Sequence, residues 1–124
     1  MAGRRLTPVF TENFATNLDA IRAFLGDEAG EAFARLLNRL LDDLVPTLSQ
    51  FPRSGRPFLA QPTGSLETRR ALRRMRRLLL PGDDLREFIL GDYLVLYLIR
   101  DRSIVFLAIK HHRQLSFDLP RFWR

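Results

Sequence analysis

The stretch LREFILGDYLVLYLIRDRSIVFLAIKHHRQ, residues 85–114, decides the fold of this chain. Two turn sequences, Gly91-Asp92 and Arg100-Asp101-Arg102, divide it into strands predicted at residues 85–90, 93–99 and 103–110. The runs LVLYLI and IVFLAI are almost continuously apolar, whereas a strand with one wet face would alternate. We therefore expect an antiparallel meander that is covered by helices on one face and by a further helix or a partner on the other.

The N-terminal residues predict a strand followed by an amphipathic helix. Residues 5–10 favour a strand, and Pro8 places it at a sheet edge because proline cannot donate to a strand ladder. Thr11 can cap a helix that Gly26 should stop. Its apolar residues recur at helical spacing: Phe14, Leu18, Ile21 and Leu25.

A second helix should follow almost at once, with Asp27 as its cap. Its broad apolar face is formed by Phe33, Leu36, Leu37, Leu40, Leu41, Leu44 and Leu48. Pro46 should kink or end this helix. Because the connection between the two helices is very short, we expect an antiparallel hairpin that packs on the sheet.

Two further segments lie between the helix hairpin and the predicted sheet. FPRSGRP, residues 51–57, is rich in turn residues, and Gly55 can take a positive φ there. Residues 60–82 predict an inserted helix that Ser65 caps and Pro81-Gly82 ends. Its arginines are Arg69, Arg70, Arg73, Arg74, Arg76 and Arg77. We expect the aromatic C-terminal tail, residues 115–124, to pack back on the domain.

These elements predict an α+β fold with a three- to four-stranded antiparallel sheet. A length of 124 residues fits one domain, residues 1–124. Lysine and arginine number 20 against 14 acidic residues, and only Lys110 is a lysine, so an acidic partner is favoured. The chain has no cysteine, and its two histidines form no metal-ligand pattern, so we expect no metal or other cofactor. Neither a signal peptide nor a membrane span is apparent, which favours the cytoplasm.

The order and spacing of these motifs resemble the RelE/ParE superfamily of toxins, the plasmid stabilisation proteins of type II toxin-antitoxin systems. The resemblance covers most of residues 5–59 and 85–114. It is carried by FPRSGRP and by four positions of the meander, Arg86, Tyr93, Tyr97 and His111. Residues 60–82 depart from it, because many family members have only a short loop there. The resemblance implies a toxin that a cognate antitoxin neutralises. It also implies an assembly, either a homodimer of the toxin or a toxin-antitoxin hetero-oligomer.

Two activities are common in the superfamily, inhibition of DNA gyrase and ribosome-dependent cleavage of messenger RNA. A ribonuclease would need acid-base groups and cations around one phosphate, for which the candidates are Arg86, Lys110, His111 and Arg113. Strict alternation places His111 with Val105, Leu107 and Ile109, and Lys110 on the opposite face. That division weakens the nuclease hypothesis unless the strand ends or bulges there. Inhibition of gyrase by binding, without enzymatic activity, is therefore the favoured interpretation.

The arginine cluster of residues 69–77 is the strongest electrostatic feature of the sequence. Six guanidinium groups so close together cannot all be paired by Glu67 and should repel one another without acidic company. They favour contact with an acidic segment of the antitoxin, with the target protein or with nucleic acid; the alternative is a solvated helix face. A basic nucleic-acid-binding module outside toxin biology is the third functional hypothesis.

Overall fold

A computed structural model of the protein describes residues 5–27, 30–58, 73 and 76–111. Five strands form one sheet with the order β1-β5-β4-β3-β2. Their bounds are Thr7–Phe10 (β1), Arg56–Pro57 (β2), Asp84–Leu90 (β3), Tyr93–Arg100 (β4) and Ser103–His111 (β5). The predicted meander of β3, β4 and β5 is confirmed, because each of these strands pairs antiparallel with the next.

The N-terminal strand changes the character of the sheet from antiparallel to mixed. β1 pairs with β5 in parallel, with Thr7 opposite Ser103 and Phe10 opposite Phe106. A parallel pair needs a long crossover connection, which the helices and the remaining strands supply. The sheet therefore has five strands rather than the expected three or four, and β1 occupies an edge as predicted.

The helical half begins as the sequence predicts. Helix α1 spans Glu12–Leu25, and the Thr11 hydroxyl accepts a hydrogen bond from the Phe14 N–H at 3.1 Å. Gly26 follows with φ of 78°, and its N–H closes the helix on the Arg22 carbonyl. This positive φ is the left-handed conformation that favours glycine at a helix end.

Pro46 does not end the second helical run. Helix α2, Gly30–Asn38, continues through a π-helical turn, Arg39–Leu44, into α3, Val45–Gln50. Pro46 lies in the first turn of α3, where the N–H that proline lacks has no partner within α3. The N–H of Val45 reaches back to the Leu40 carbonyl, five residues earlier. A wider turn thus admits the proline, and the helical run continues to Gln50.

The described helices cover one face of the sheet, which we call the helix face. Phe14, Ile21, Leu40 and Leu48 pack there against sheet residues that include Tyr97. The opposite face carries a second cluster of Leu85, Leu96, Leu98, Leu107 and Ala108, against which Phe58 and Leu79 pack. Both faces of β4 and β5 are therefore apolar and buried, as their continuous apolar runs predict. The predicted arginine-rich helix is described only at residues 73 and 76–78, which are helical; its remainder and residues 115–124 lie outside the described residues.

A bulge in β5 corrects the predicted side-chain alternation. Leu96 pairs with Ala108 but Tyr97 pairs with Phe106, so Leu107 is an extra residue. Phe106 and Ile109 consequently share the helix face, while Leu107 and Ala108 share the other. The bulge shifts the alternation by one residue, so His111 lies on the face of Phe106 rather than on that of Val105 and Leu107.

Polar residues of α1 and its N-terminal cap, Thr11, satisfy the backbone groups near this bulge. The Asn13 side-chain amide donates to the Leu107 carbonyl at 2.9 Å, and the Thr11 hydroxyl donates to the Phe106 carbonyl at 3.0 Å. The Ile109 N–H donates to Asn17 Oδ1 at 3.0 Å. A buried backbone group without a partner is costly, so these three residues make the bulge compatible with a covering helix.

Proline interrupts both edges of the sheet. Pro8 lies in β1 and Pro57 in β2, and neither has an N–H to offer an added strand. The Leu6 N–H, just before β1, is already bonded to the Ser49 carbonyl at 2.9 Å. These features disfavour edge-to-edge association of the sheet.

Close packing explains Gly55, whose conformation differs from the prediction. Its φ is −78°, a value open to any residue, so a positive φ is not the reason for glycine here. A Cβ at this position would lie 2.5 Å from both the Glu87 carbonyl oxygen and the Tyr97 hydroxyl. Glycine is needed because the chain passes directly over the sheet.

We predict that Gly55→Ala lowers the free energy of unfolding by about 2 kcal/mol or more, because the added methyl group overlaps backbone and a buried tyrosine. Urea denaturation followed by circular dichroism measures the change. Gly30→Ala is the matched control, since a Cβ there meets nothing within 4 Å, and its stability should be unchanged or slightly raised. Equal stability of the two variants would contradict the close packing.

Candidate functional site

Arg86 lies in a network of hydrogen bonds at the corner formed by residues 51–57. Its Nε donates to Asp84 Oδ2 at 3.0 Å, and its Nη1 donates to the Gly55 carbonyl at 2.7 Å and the Arg53 carbonyl at 3.3 Å. Only 15% of the side chain is exposed. Arg86 thus holds the corner against β3, and three protein acceptors occupy its guanidinium.

Tyr97 joins the same corner from the centre of the sheet. The fully buried side chain donates its hydroxyl proton to the Pro52 carbonyl at 2.7 Å and accepts from the Gly55 N–H at 2.9 Å. Burial raises the pKa of Tyr97 above its ordinary value, which keeps the phenol protonated and able to donate. Arg86 and Tyr97, two of the four positions that carry the family resemblance, therefore both hold the corner of residues 51–57 against the sheet.

Lys110 lies on the face opposite the helices. It pairs with Leu94 across the sheet, and burial lowers its pKa while the Glu87 carboxylate partly opposes this effect. Glu87 itself is only 5% exposed and accepts a hydrogen bond from Arg56 Nε at 2.5 Å. Lys110 thus belongs to a small charged cluster with Glu87 and Arg56.

His111 lies on the helix face at the far end of β5. Its ring is 5.2 Å from that of Tyr93 in an edge-to-face arrangement and 5.9 Å from that of Phe24 on α1. These are ordinary aromatic packing distances. His111 therefore packs between a strand and a helix end.

The structure does not bring together the three candidate nuclease residues that it describes, Arg86, Lys110 and His111. Arg86 is opposite Tyr97 on β4, whereas His111 is opposite Tyr93, four positions away and about 13 Å along the strand. Lys110 is separated from both by the thickness of the sheet, and Arg113 lies outside the described residues. The proposed catalytic roles of these four residues stay predictions.

The described part of the arginine cluster is exposed and anchored at its C-terminal end. Arg73, Arg76 and Arg77 are all exposed, while Arg69, Arg70 and Arg74 lie outside the described residues. The segment reaches β3 through Leu79, which packs on the sheet face opposite the helices. Its exposed arginines are therefore held near the start of β3.

An ion pair at the end of this segment, which we call the clamp, joins Asp83 to Arg100 of β4. Arg100 Nε and Nη2 donate to the two carboxylate oxygens at 2.9 and 2.6 Å. The Leu80 N–H adds a third hydrogen bond to Asp83 at 2.7 Å, and only 2% of the Asp83 side chain is exposed. The hydrogen bond from Arg100 lowers the pKa of Asp83 below its ordinary 3.8. Paired, planar contacts of this kind are the strongest that arginine forms.

Two other kinds of site are absent from the described residues. Within 5–27, 30–58, 73 and 76–111, no three histidine or acidic side chains converge in a way that would hold a metal ion. None of the helices described there has the length and apolar character that a membrane span requires.

Comparison with known families identifies the family of this chain. The model of the ParE toxin of the type II toxin-antitoxin system, parDE, matches residues 9–116, most of the chain. The chain belongs to the ParE toxin family. No curated protein sequence matches it closely enough to count as a relative. The resemblance to RelE/ParE toxins is thus confirmed, and the chain is a toxin of a type II toxin-antitoxin system.

Sequence reasoning missed the clamp and the buried carboxylate of this ParE-family chain. The sequence alone indicates ordinary surface charges at Asp83, Arg100 and Glu87, because each lies beside a turn or within a mixed strand. One signal was available, since Glu87 falls between Leu85 and Ile89 on a face that is otherwise apolar. A second signal lay in the predicted hairpin, because a two-residue turn at Gly91-Asp92 places Asp83 opposite Arg100, one position beyond the pair of Asp84 and Ile99.

We predict that Asp83→Asn destabilises the protein by roughly 1–2 kcal/mol at neutral pH, because Arg100 loses its charged acceptor. Since the folded-state pKa of Asp83 is lowered, the ion pair's contribution is complete above the ordinary value and is lost as pH falls below about 3.8. Urea denaturation between pH 7 and pH 3 measures the difference from the wild type, which should shrink toward the acid end.

Asp19→Asn is the control for this prediction, because Asp19 is exposed on α1 and the variant changes the net charge equally. It should leave stability within about 0.5 kcal/mol of the wild type. If the stability difference between Asp83→Asn and the wild type did not depend on pH, the ion pair would be excluded as its cause.

Proposed function

We propose that this ParE-family toxin inhibits DNA gyrase by binding it and is neutralised by a cognate antitoxin. One observation favours binding over RNA cleavage: Arg86, Lys110 and His111 do not converge. Arg86 is engaged by the corner, Lys110 lies on the other face, and His111 packs against Phe24 and Tyr93.

RNA cleavage places strict geometric demands on such groups. A base must reach the 2′-hydroxyl, an acid must reach the leaving oxygen, and a cation must contact the phosphate between them. All three then lie within hydrogen-bond reach of one nucleotide. Groups separated by a strand length of about 13 Å, or by the sheet itself, do not meet this requirement. A binding mechanism makes no such demand.

The basic character of the protein supports an acidic partner. The chain has a formal charge of +6, and the arginines described from the predicted cluster, Arg73, Arg76 and Arg77, are all exposed. Arginine forms two-pronged contacts with carboxylates, and an acidic segment that folds on the toxin would gain both charge and apolar contacts. Antitoxin binding through Arg69, Arg70, Arg73, Arg74, Arg76 and Arg77 is our proposal for this cluster.

Induced expression in bacteria distinguishes the two targets. We predict DNA breaks or altered plasmid supercoiling while protein synthesis initially continues, together with rescue of growth by the protein encoded beside the toxin gene. Lys110→Ala combined with His111→Ala should leave toxicity largely intact, because neither side chain is assigned a chemical step. Labelled amino-acid incorporation, message integrity and plasmid topoisomers are the measurements.

Leu48→Asp is the control for the double variant. Leu48 is fully buried, so a charge there should unfold the protein and abolish toxicity, which shows that the assay reports the folded toxin. Early arrest of translation with cut messages, or complete loss of toxicity in a folded Lys110→Ala/His111→Ala protein, would contradict the proposal and favour an RNA-cleaving toxin.

A further inference from the structure

One end of the sheet gathers chain segments from four parts of the sequence. The turn between β4 and β5 lies there, and the Thr7 N–H at the start of β1 donates to the Arg102 carbonyl at 2.8 Å. The start of β3 lies at the same end, since Asp84 pairs with Ile99. Arg53 reaches it from the corner, with its Nε 3.8 Å from Asp84 Oδ2. We call this end of the molecule the turn end.

Positive charge is concentrated at the turn end. Its described arginines outnumber its aspartates: Arg5, Arg53, Arg76, Arg77, Arg86, Arg100 and Arg102 stand against Asp83, Asp84 and Asp101. Asp83 is engaged by Arg100, and Asp84 by Arg86. Arg53, whose side chain is 81% exposed, shares the Asp84 carboxylate with Arg86, so positive charge remains in excess at the surface. An anionic partner is therefore attracted to this end.

The clamp joins the arginine-bearing segment to this surface. Asp83 is bonded both to Arg100 at the end of β4 and to the Leu80 N–H, and the Asp83 N–H donates back to the Leu80 carbonyl at 3.0 Å. Arg76 and Arg77 precede this closed turn by only a few residues. The clamp therefore anchors the C-terminal end of the arginine-bearing segment at the end of β4, which makes Asp83 a positioning residue.

Exposed leucines lie among these charges. Leu78, which directly follows Arg77, is 47% exposed, and Leu80, two residues further on, is 56% exposed. Phe51, 59% exposed, lies two residues before Arg53. A nucleic-acid backbone offers phosphates and polar sugars but no apolar side chains to pack on leucine, whereas a polypeptide supplies carboxylates and apolar side chains together.

We propose that the turn end, including Arg53 and Arg102, is a docking surface for an acidic polypeptide segment that also carries apolar side chains, and that the antitoxin supplies this segment. The inference rests on the proposed neutralisation and adds residues from the corner and from the β4–β5 turn to the arginine cluster. Carboxylates of the partner pair with the arginines, and its apolar side chains cover Leu78 and Leu80.

The test compares two double variants that remove the same charge. Arg53→Ala/Arg102→Ala alters the turn end, while Arg22→Ala/Arg35→Ala removes exposed arginines from α1 and α2. Each is titrated at several salt concentrations with the purified protein encoded beside the toxin gene, and separately with a mixed-sequence DNA duplex. The turn-end variant should bind that protein about tenfold more weakly, mainly through slower association, and with a shallower salt dependence. The control should change less than about twofold.

Each other outcome counts against the inference in a distinguishable way. Equal losses in both double variants would mean that only net charge matters, and an unaffected turn-end variant would remove Arg53 and Arg102 from the interface while leaving neutralisation intact. A loss confined to the DNA titration would assign the turn end to nucleic acid. Failure of the wild-type toxin to bind the neighbouring protein would overturn the proposed neutralisation and the inference together.

Discussion

The extra residue at Leu107 in β5 is the constraint on which the arrangement of the two faces depends. It turns Phe106 and Ile109 toward the helices and Leu107 and Ala108 away from them. Strand β5 therefore contributes apolar side chains to the clusters on both faces of the sheet. The irregular ladder is tolerated because Thr11, the cap of α1, and Asn13 and Asn17 within α1 bond to backbone groups around the bulge. Their contacts also fix α1 against the sheet. Helix position and strand register are thus set by the same few hydrogen bonds.

The consequences for function follow from that register. His111 is turned to the helix face and packs with Phe24 and Tyr93, whereas Lys110 is turned to the other face near Glu87. Arg86 and Tyr97 are bound to the corner of residues 51–57 and give that corner its shape. Arg86, Lys110 and His111, which a nuclease would place around one phosphate, lie apart in the structure. The exposed chemistry of this ParE-family toxin is an arginine-rich surface, which suits recognition of another macromolecule.

The sequence predicted those features that have a local physical cause. The strands β3 to β5 follow from apolar runs between turn residues, and α1 follows from helical spacing between Thr11 and Gly26. Features with a non-local cause were missed. The parallel pairing of β1 with β5, the bulge at Leu107 and the close contact at Gly55 all arise from distant parts of the chain meeting. The predicted face of His111 is the clearest case. One inserted residue reverses the face of the sheet on which every later residue of the strand lies.

We propose that this ParE-family toxin acts by binding a protein target rather than by cleaving RNA. A DNA supercoiling assay with purified gyrase and the folded toxin tests it most directly. Supercoiling should fall as toxin is added in stoichiometric amounts and should be restored by the antitoxin, while ribosome-bound messenger RNA should stay intact in a parallel reaction. Normal supercoiling in the presence of excess folded toxin, together with cleavage of that messenger RNA, would contradict it.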